Sequence, residues 1–254
     1  MPTATITTGT IMAGDERLSR EELASREPMS HAALYRLATW LSPAYPVGGF
    51  AYSSGIEWAV QAGDIANRQT LLDWLTAVLT DGTGFNDAVL MTAAHRAAGS
   101  GSDGALIEVA GLAAALVPTR ERHLETTTLG RAFMDVTLAA WPCEALTRLK
   151  TLWEGPLAYP VGVGVACAGH DIPIAAATQA FLAAVTANWV SAAVRLVPLG
   201  HTDSQLALAA IEPVVAATAR RAAVATLDDL GGATFRADIA SARHETQYTR
   251  LFRS

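Results

Sequence analysis

The chain lacks most of the residue patterns that mark enzymes, metal sites and nucleic-acid binders. It has two cysteines, Cys143 and Cys167, and no CxxC pair. That excludes a disulfide framework and a thiolate cluster, so both are read as small hydrophobes of the core. No Gly-Lys pair occurs, and without one there is no GxxxxGK[ST] phosphate loop. No GxSxG occurs either, and neither cysteine has a basic neighbour in sequence, which leaves no sign of an activated nucleophile. The six histidines (His31, His95, His123, His170, His201 and His244) form no HxH, HxxxH or HExxH, so no local set of transition-metal ligands is expected. Only His170–Asp171 and His201–Asp203, at expected helix ends, offer weak, exposed ligation. Excess positive charge is missing too. Lys and Arg number 18 against 24 Asp and Glu, a net charge of −6, which argues against a face that neutralises nucleic-acid phosphates. Residues 1–15 have no basic start followed by an apolar run, and the chain is expected to be cytoplasmic.

What is present is apolar and helical. Half of the 254 residues are hydrophobic, enough for a sizeable core. Period-2 alternation with hairpin turns is absent, whereas three- and four-residue spacing recurs along the chain. The fold class expected is all-α, a single-domain bundle of about ten helices. A leader over 1–30 is expected to be partly disordered, the helical domain to cover 31–230, and a flexible tail to occupy 231–254. Helices are expected over about 20–41, 56–62, 67–80, 86–98, 105–117, 119–140, 143–153, 160–169, 173–197 and 203–226. Asn67 is placed as an N-cap, and "DGTGFND" as a break between helices. The uncharged run from Ile174 to Val194 has the length of a membrane span. Its Thr178, Gln179, Thr186, Asn188 and Ser191, with many alanines, favour a buried helix of a bundle. "VGVGVACAG" (161–169) has a GxG but no strand before it and no acidic partner after it, so it is read as a helix with small residues for close packing.

Three stretches stand out. "SPAYPVGGFAYSSGIEWAVQAG" (42–63) crowds Pro, Gly and aromatics before a short helix, a tight turn that holds aromatics against that helix. In "TRERHLETTTLGRAF" (119–133), Glu121 and Glu125 lie one helical turn apart with Arg120, Arg122 and Arg131 beside them. Solvated ion pairing accounts for that arrangement; the alternative is an enzyme on an all-α fold using Glu121, Glu125 and His123 as acid–base groups. "IASARHETQYTRLFRS" (239–254) carries Arg and aromatics, the residue types that anchor interfaces. Tyr248, Leu251 and Phe252 fall at i, i+3 and i+4, one face of a helix laid in a groove. Gly231–Gly232 precede it as a hinge. The tail has too little apolar content to offset an ordering entropy of roughly 1–2 kcal/mol per residue. It is therefore expected to be mobile until a partner covers it, the alternative being a tail packed on its own domain.

These segments, with "AVRLVPLGHTDSQ" (193–205), resemble the UreF family of urease accessory proteins, in the right order over about residues 34–254. The resemblance implies an all-α homodimer that is not itself an enzyme. It implies partners as well: a UreH-type (also called UreD) accessory protein, the GTPase UreG, and apo-urease, in a complex that inserts nickel with GTP hydrolysis. No tightly bound cofactor is implied, only nickel handled in transit, and no membrane or nucleic acid. Carried over, partner binding falls on Arg243, His244, Glu245, Thr246, Gln247, Tyr248, Arg250, Leu251, Phe252 and Arg253. The turn motif falls on Pro46, Gly48, Gly49, Phe50, Ser53, Gly55 and Glu57. Influence on the GTPase falls on Arg120, Glu121, Glu125 and Arg195. Arg195 and His201 stand where relatives often carry Lys and Gln.

Overall fold

The computed structural model describes residues 29–254; the expected leader, and the part of the first expected helix before residue 29, lie outside them. Among the described residues there are eleven α-helices, two single 3-10 turns and no strand. The helices are α1 (His31–Trp40), α2 (Ile56–Gln61), α3 (Arg68–Asp81), α4 (Thr83–Gly99), α5 (Asp103–Ala115) and α6 (Arg120–Ala140). They continue with α7 (Glu144–Leu152), α8 (Tyr159–Gly169), α9 (Ile174–Val194), α10 (His201–Ala222) and α11 (Phe235–His244). The 3-10 turns are Gly49–Ala51 and Leu227–Asp229.

Local chemistry sets most boundaries. Asn67 caps α3 through its side chain, and Thr70 returns the bond to the Asn67 backbone. Thr119 caps α6 in the same way, and Pro173 stands at the start of α9, where its missing N–H leaves no bond unmade. One expected break is absent. α4 begins at Thr83, inside "DGTGFND", so Gly84 is helical. A Cβ at Gly84 would lie 3.0 Å from Leu79 Cα, and the glycine lets two consecutive helices meet at a sharp corner.

The centre of the bundle is α8, in which every residue from Pro160 to Cys167 is buried. It lies against α4 so closely that a Cβ on Gly164 would stand 2.3 Å from the Met91 carbonyl oxygen. The GxG run therefore serves helix–helix contact, as its sequence setting suggested. Burial pushes the Cys167 thiol up to about 12 and raises that of half-buried Cys143 as well, which disfavours the reactive thiolate at both. α9 is the one described helix long and apolar enough to cross a membrane; here it packs along α10, with Phe181, Leu182, Trp189 and Val190 in the core. Trp40, Tyr45, Phe133, Trp141 and Tyr159 form an aromatic cluster at one end. Beside it Tyr45 Oη and the Thr137 hydroxyl are 2.9 Å apart.

The tail departs most from expectation. It is helical over 235–244 and irregular from Glu245 to Ser254. It is also tied down at its expected hinge: the Gly231 N–H donates to Asn86 Oδ1 at 3.1 Å, and the Ala233 N–H donates to the Asp81 carbonyl at 2.9 Å. Arg236 then makes a two-toothed ion pair with Asp64, at 2.8 and 3.1 Å, and lies over the Trp58 ring.

Candidate functional site: the seat of the C-terminal segment

The turn before α2 sets the position of everything at this site. Gly48 and Gly55 both take the left-handed conformation, with φ of 80° and 83°, and Ser54 follows suit at 54°. Gly55 is required twice over. It caps α2 at positive φ, and a Cβ there would lie 2.8 Å from the Ser241 nitrogen. α11 thus crosses the start of α2 at backbone contact. Pro46 and Phe50 remain exposed, and Gly49 faces Asn188.

Two buried carboxylates hold the tail. Glu57, on α2, accepts the Leu251 N–H at 2.6 Å on one oxygen; on the other it accepts the Phe252 N–H at 2.9 Å and faces His244 Nε2 at 3.0 Å. Glu121, on the first turn of α6, faces His244 Nδ1 at 2.6 Å and accepts from Arg250 at 3.0 Å. With a carboxylate oxygen opposite each ring nitrogen, His244 is satisfied when both nitrogens donate. Burial raises the Glu121 carboxyl above its usual range, against the pull of His244 and Arg250. Glu125, one turn further along α6, completes the seat: it accepts from Arg122 at 2.6 Å, Ser54 at 2.9 Å and the Ser254 hydroxyl at 2.6 Å. The Ser254 carbonyl accepts from the Ser53 backbone N–H at 2.7 Å and from its hydroxyl at 2.5 Å. Arg195 donates to the Phe50 carbonyl and covers the Phe252 ring, 4.3 Å from its centroid; burial lowers its pKa.

Three expectations change here. The tail is not loosely packed, because Glu57 of α2 and the Ala51 carbonyl take its backbone N–H groups and Glu121 and Glu125 of α6 take its side chains. Nor do Tyr248, Leu251 and Phe252 share a face: they are 103%, 64% and 4% exposed. The irregular backbone sends Phe252 inward and the other two outward. The carboxylates of α6 are not solvated either, since Glu121, Arg122 and Glu125 are all buried; the solvated pair on that helix is Arg131–Asp135. The alternative acid–base group finds no support, because the oxygens of Glu121 and Glu125 are taken up by the tail, Arg122 and Ser54, while half-buried His123 joins neither. Among the described residues no three His, Cys, Asp or Glu side chains form a metal-ligand group.

The outward face collects the rest. Arg120, Arg250 and Arg253 line an open groove with Leu124 and Glu245. Arg243 and Thr246 are exposed and Gln247 is half-buried. Sequence reasoning missed Ser54, Arg122, Thr119 and Ser241, the last two joined hydroxyl to hydroxyl at 2.7 Å. Their signal was faint, because a serine in a turn or a cap looks the same whether or not a distant segment uses it.

The family model described as UreF matches residues 65–212. A urease accessory protein UreF of Rhodopseudomonas palustris (strain BisA53) is 62% identical over 223 residues, covering 88% of this chain and 94% of that protein. One of Bradyrhizobium diazoefficiens is 59% identical over 244 residues, covering 96% of this chain and all of that protein. Another, of Bradyrhizobium sp. (strain BTAi1), is 59% identical over 231 residues, covering 91% and 96%.

Proposed function

The chain belongs to the UreF family of urease accessory proteins, and on that premise we propose that it is a non-enzymatic, homodimeric scaffold of nickel insertion in the cytoplasm. It joins a UreH-type protein and the GTPase UreG on apo-urease, and nickel passes through that assembly without resident binding here. The observation that carries the reading is the two-sided tail. His244, Phe252 and Ser254 are buried in the seat, while Tyr248 and Leu251, with Phe235 and Ile239 of α11, point outward. Aromatic and aliphatic side chains held outward on an ordered backbone are what an interface core requires. The partner therefore meets a preformed surface, and its binding does not have to bear the entropy of ordering the tail.

For the GTPase, exposure of Arg120 on the groove side supports it over Arg195 as the candidate arginine acting in trans. Arg195 is committed to Phe50 and Phe252 and positions the tail. Removal of this gene from its urease operon is expected to leave inactive, nickel-poor urease; normal nickel content in that strain would overturn the reading. At the level of the surface, Tyr248→Ala with Leu251→Asp is expected to leave a folded protein that no longer retains the UreH-type partner.

A further inference from the structure

A cavity of about 200 Å³ lies between α1, the turn that follows it, α6 and α9. It borders the seat of the tail through Arg122 and Glu125, but no residue of the tail lines it. For comparison, a cavity of roughly 150 Å³ admits benzene. Its mouth is open, since Pro43, Phe50 and Ser191 are exposed at the rim. Its walls are aromatic: Trp40, Tyr45, Phe50, Tyr159 and Trp189 all line it. At its polar end sits Asp87, reached from α4.

Asp87 is under-partnered. Its one hydrogen bond among the described residues is from Arg122, at 3.3 Å to Oδ2, which leaves Oδ1 free, and its side chain keeps 20% exposure. Arg122 is shared, because it also binds Glu125 at 2.6 Å and feels the field of Asp238. Within the cavity lining two carboxylates, Asp87 and Glu125, thus share one guanidinium, and the polar end carries net negative charge. Aromatic walls around a carboxylate that lacks a full partner attract a cation with an apolar surface, because ring faces and carboxylate pull on the same charge. A bare divalent ion would need several oxygen ligands, and the walls supply aromatic carbon instead. An anion would meet the wrong charge.

We propose that this cavity is a binding site for a small organic cation of the alkylammonium class, with Asp87 as its counter-ion. Protein-observed NMR titration of the full chain with tetramethylammonium, with tert-butanol as a neutral solute of similar shape and with acetate tests it. Tetramethylammonium is expected to shift resonances of the lining residues, tert-butanol to bind roughly tenfold or more weakly, and acetate not to bind. Asp87→Asn is expected to reduce tetramethylammonium affinity to that of tert-butanol, and Val185→Phe, which fills the cavity, to abolish binding of both. Absence of tetramethylammonium binding, equal binding of the charged and neutral solutes, or binding unchanged in either variant overturns the proposal. The charge comparison needs only the unaltered protein, so it decides the matter even where a variant fails to fold.

Discussion

The contact between α4 and α8 and the seat of the tail are both places where backbone meets backbone at close range. They reach that state by opposite means. At the first, side chains are withdrawn: Gly164 leaves room for the Met91 carbonyl, and Val161, Val163, Val165 and Ala166 close around it with no exposed surface. Nothing polar from a side chain is needed, because each helix satisfies its own backbone. At the second, side chains are supplied. The tail beyond His244 has no helix to satisfy its backbone, so Glu57 and the Ala51 carbonyl accept three of its N–H groups and Ser53 donates to its Ser254 carbonyl from outside. The first contact is indivisible and fails only with the fold. The second is a set of separable bonds at the edge of the molecule, so it can open locally without unfolding the rest.

A substitution that breaks the first contact gives the largest effect expected. Gly164→Val would drive a branched side chain into the Met91 carbonyl, and α8 has no free side on which to yield. Loss of about 3 kcal/mol or more is expected, visible as a lowered denaturation midpoint across all helical signal. A midpoint unchanged in that variant would show that the close approach is dispensable. Glu57→Ala comes next and fails differently. It strips the acceptor from two backbone N–H groups and from His244, a loss of about 2–4 kcal/mol by the cost of unsatisfied buried groups. The tail should detach before the helices melt, so residues 245–254 become sensitive to protease while helical content stays. If protease sensitivity and helix loss coincide, the two regions are one cooperative unit and the contrast between them is wrong.

The contrast also explains what the sequence revealed. The helices were legible because period, caps and prolines are local signals, and Asn67 and Pro173 act at the positions their neighbours announce. The small residues of α8 were legible for the same reason. The seat was half legible. Glu57, Glu121, Glu125 and the tail stood out as separate motifs, but nothing within any one of them says that they meet. Glu57 and Leu251 are joined across most of the chain, and Glu121 looks like a solvated surface acid until His244 is brought to it. Tail order was misjudged because the count of its apolar residues left out the buried acceptors waiting elsewhere.

A smaller effect sharpens the picture at the chain's last residue. Ser254→Ala removes one donor to Glu125, which keeps Arg122 and Ser54. Loss of about 1 kcal/mol is expected, together with faster amide hydrogen exchange at Leu251 and Phe252 but not in α8. Exchange unchanged at both amides would mean that the Ser254 hydroxyl contributes nothing to holding the tail.

An effect of about the same size is expected where the two regions join, and its sign is the informative part. Arg122 links the tail seat, through Glu125, to α4, through Asp87. Burial raises the Asp87 carboxyl from 3.8 to about 6; Arg122 opposes the shift and Glu125 adds to it. A carboxyl with a higher pKa folded than unfolded binds its proton more readily in the native state. Its contribution therefore stabilises the protein as the pH falls from about 6 toward 4, and is lost as the pH rises through the folded value. Above that value, ionised Asp87 is a net burden on stability. Asp87→Asn removes the burden, so the variant should be more stable than the parent at pH 8 by about 1 kcal/mol, less than the full shift would give because the open cavity screens the charge. At pH 4 the advantage should vanish, since Asp87 is then protonated in the native state and resembles the amide. Denaturation curves of both proteins at the two pH values check this. A variant less stable than its parent at pH 8 would mean that the Arg122–Asp87 pair outweighs the desolvation of Asp87, and that α4 and the tail seat are bound together more tightly than their different construction suggests.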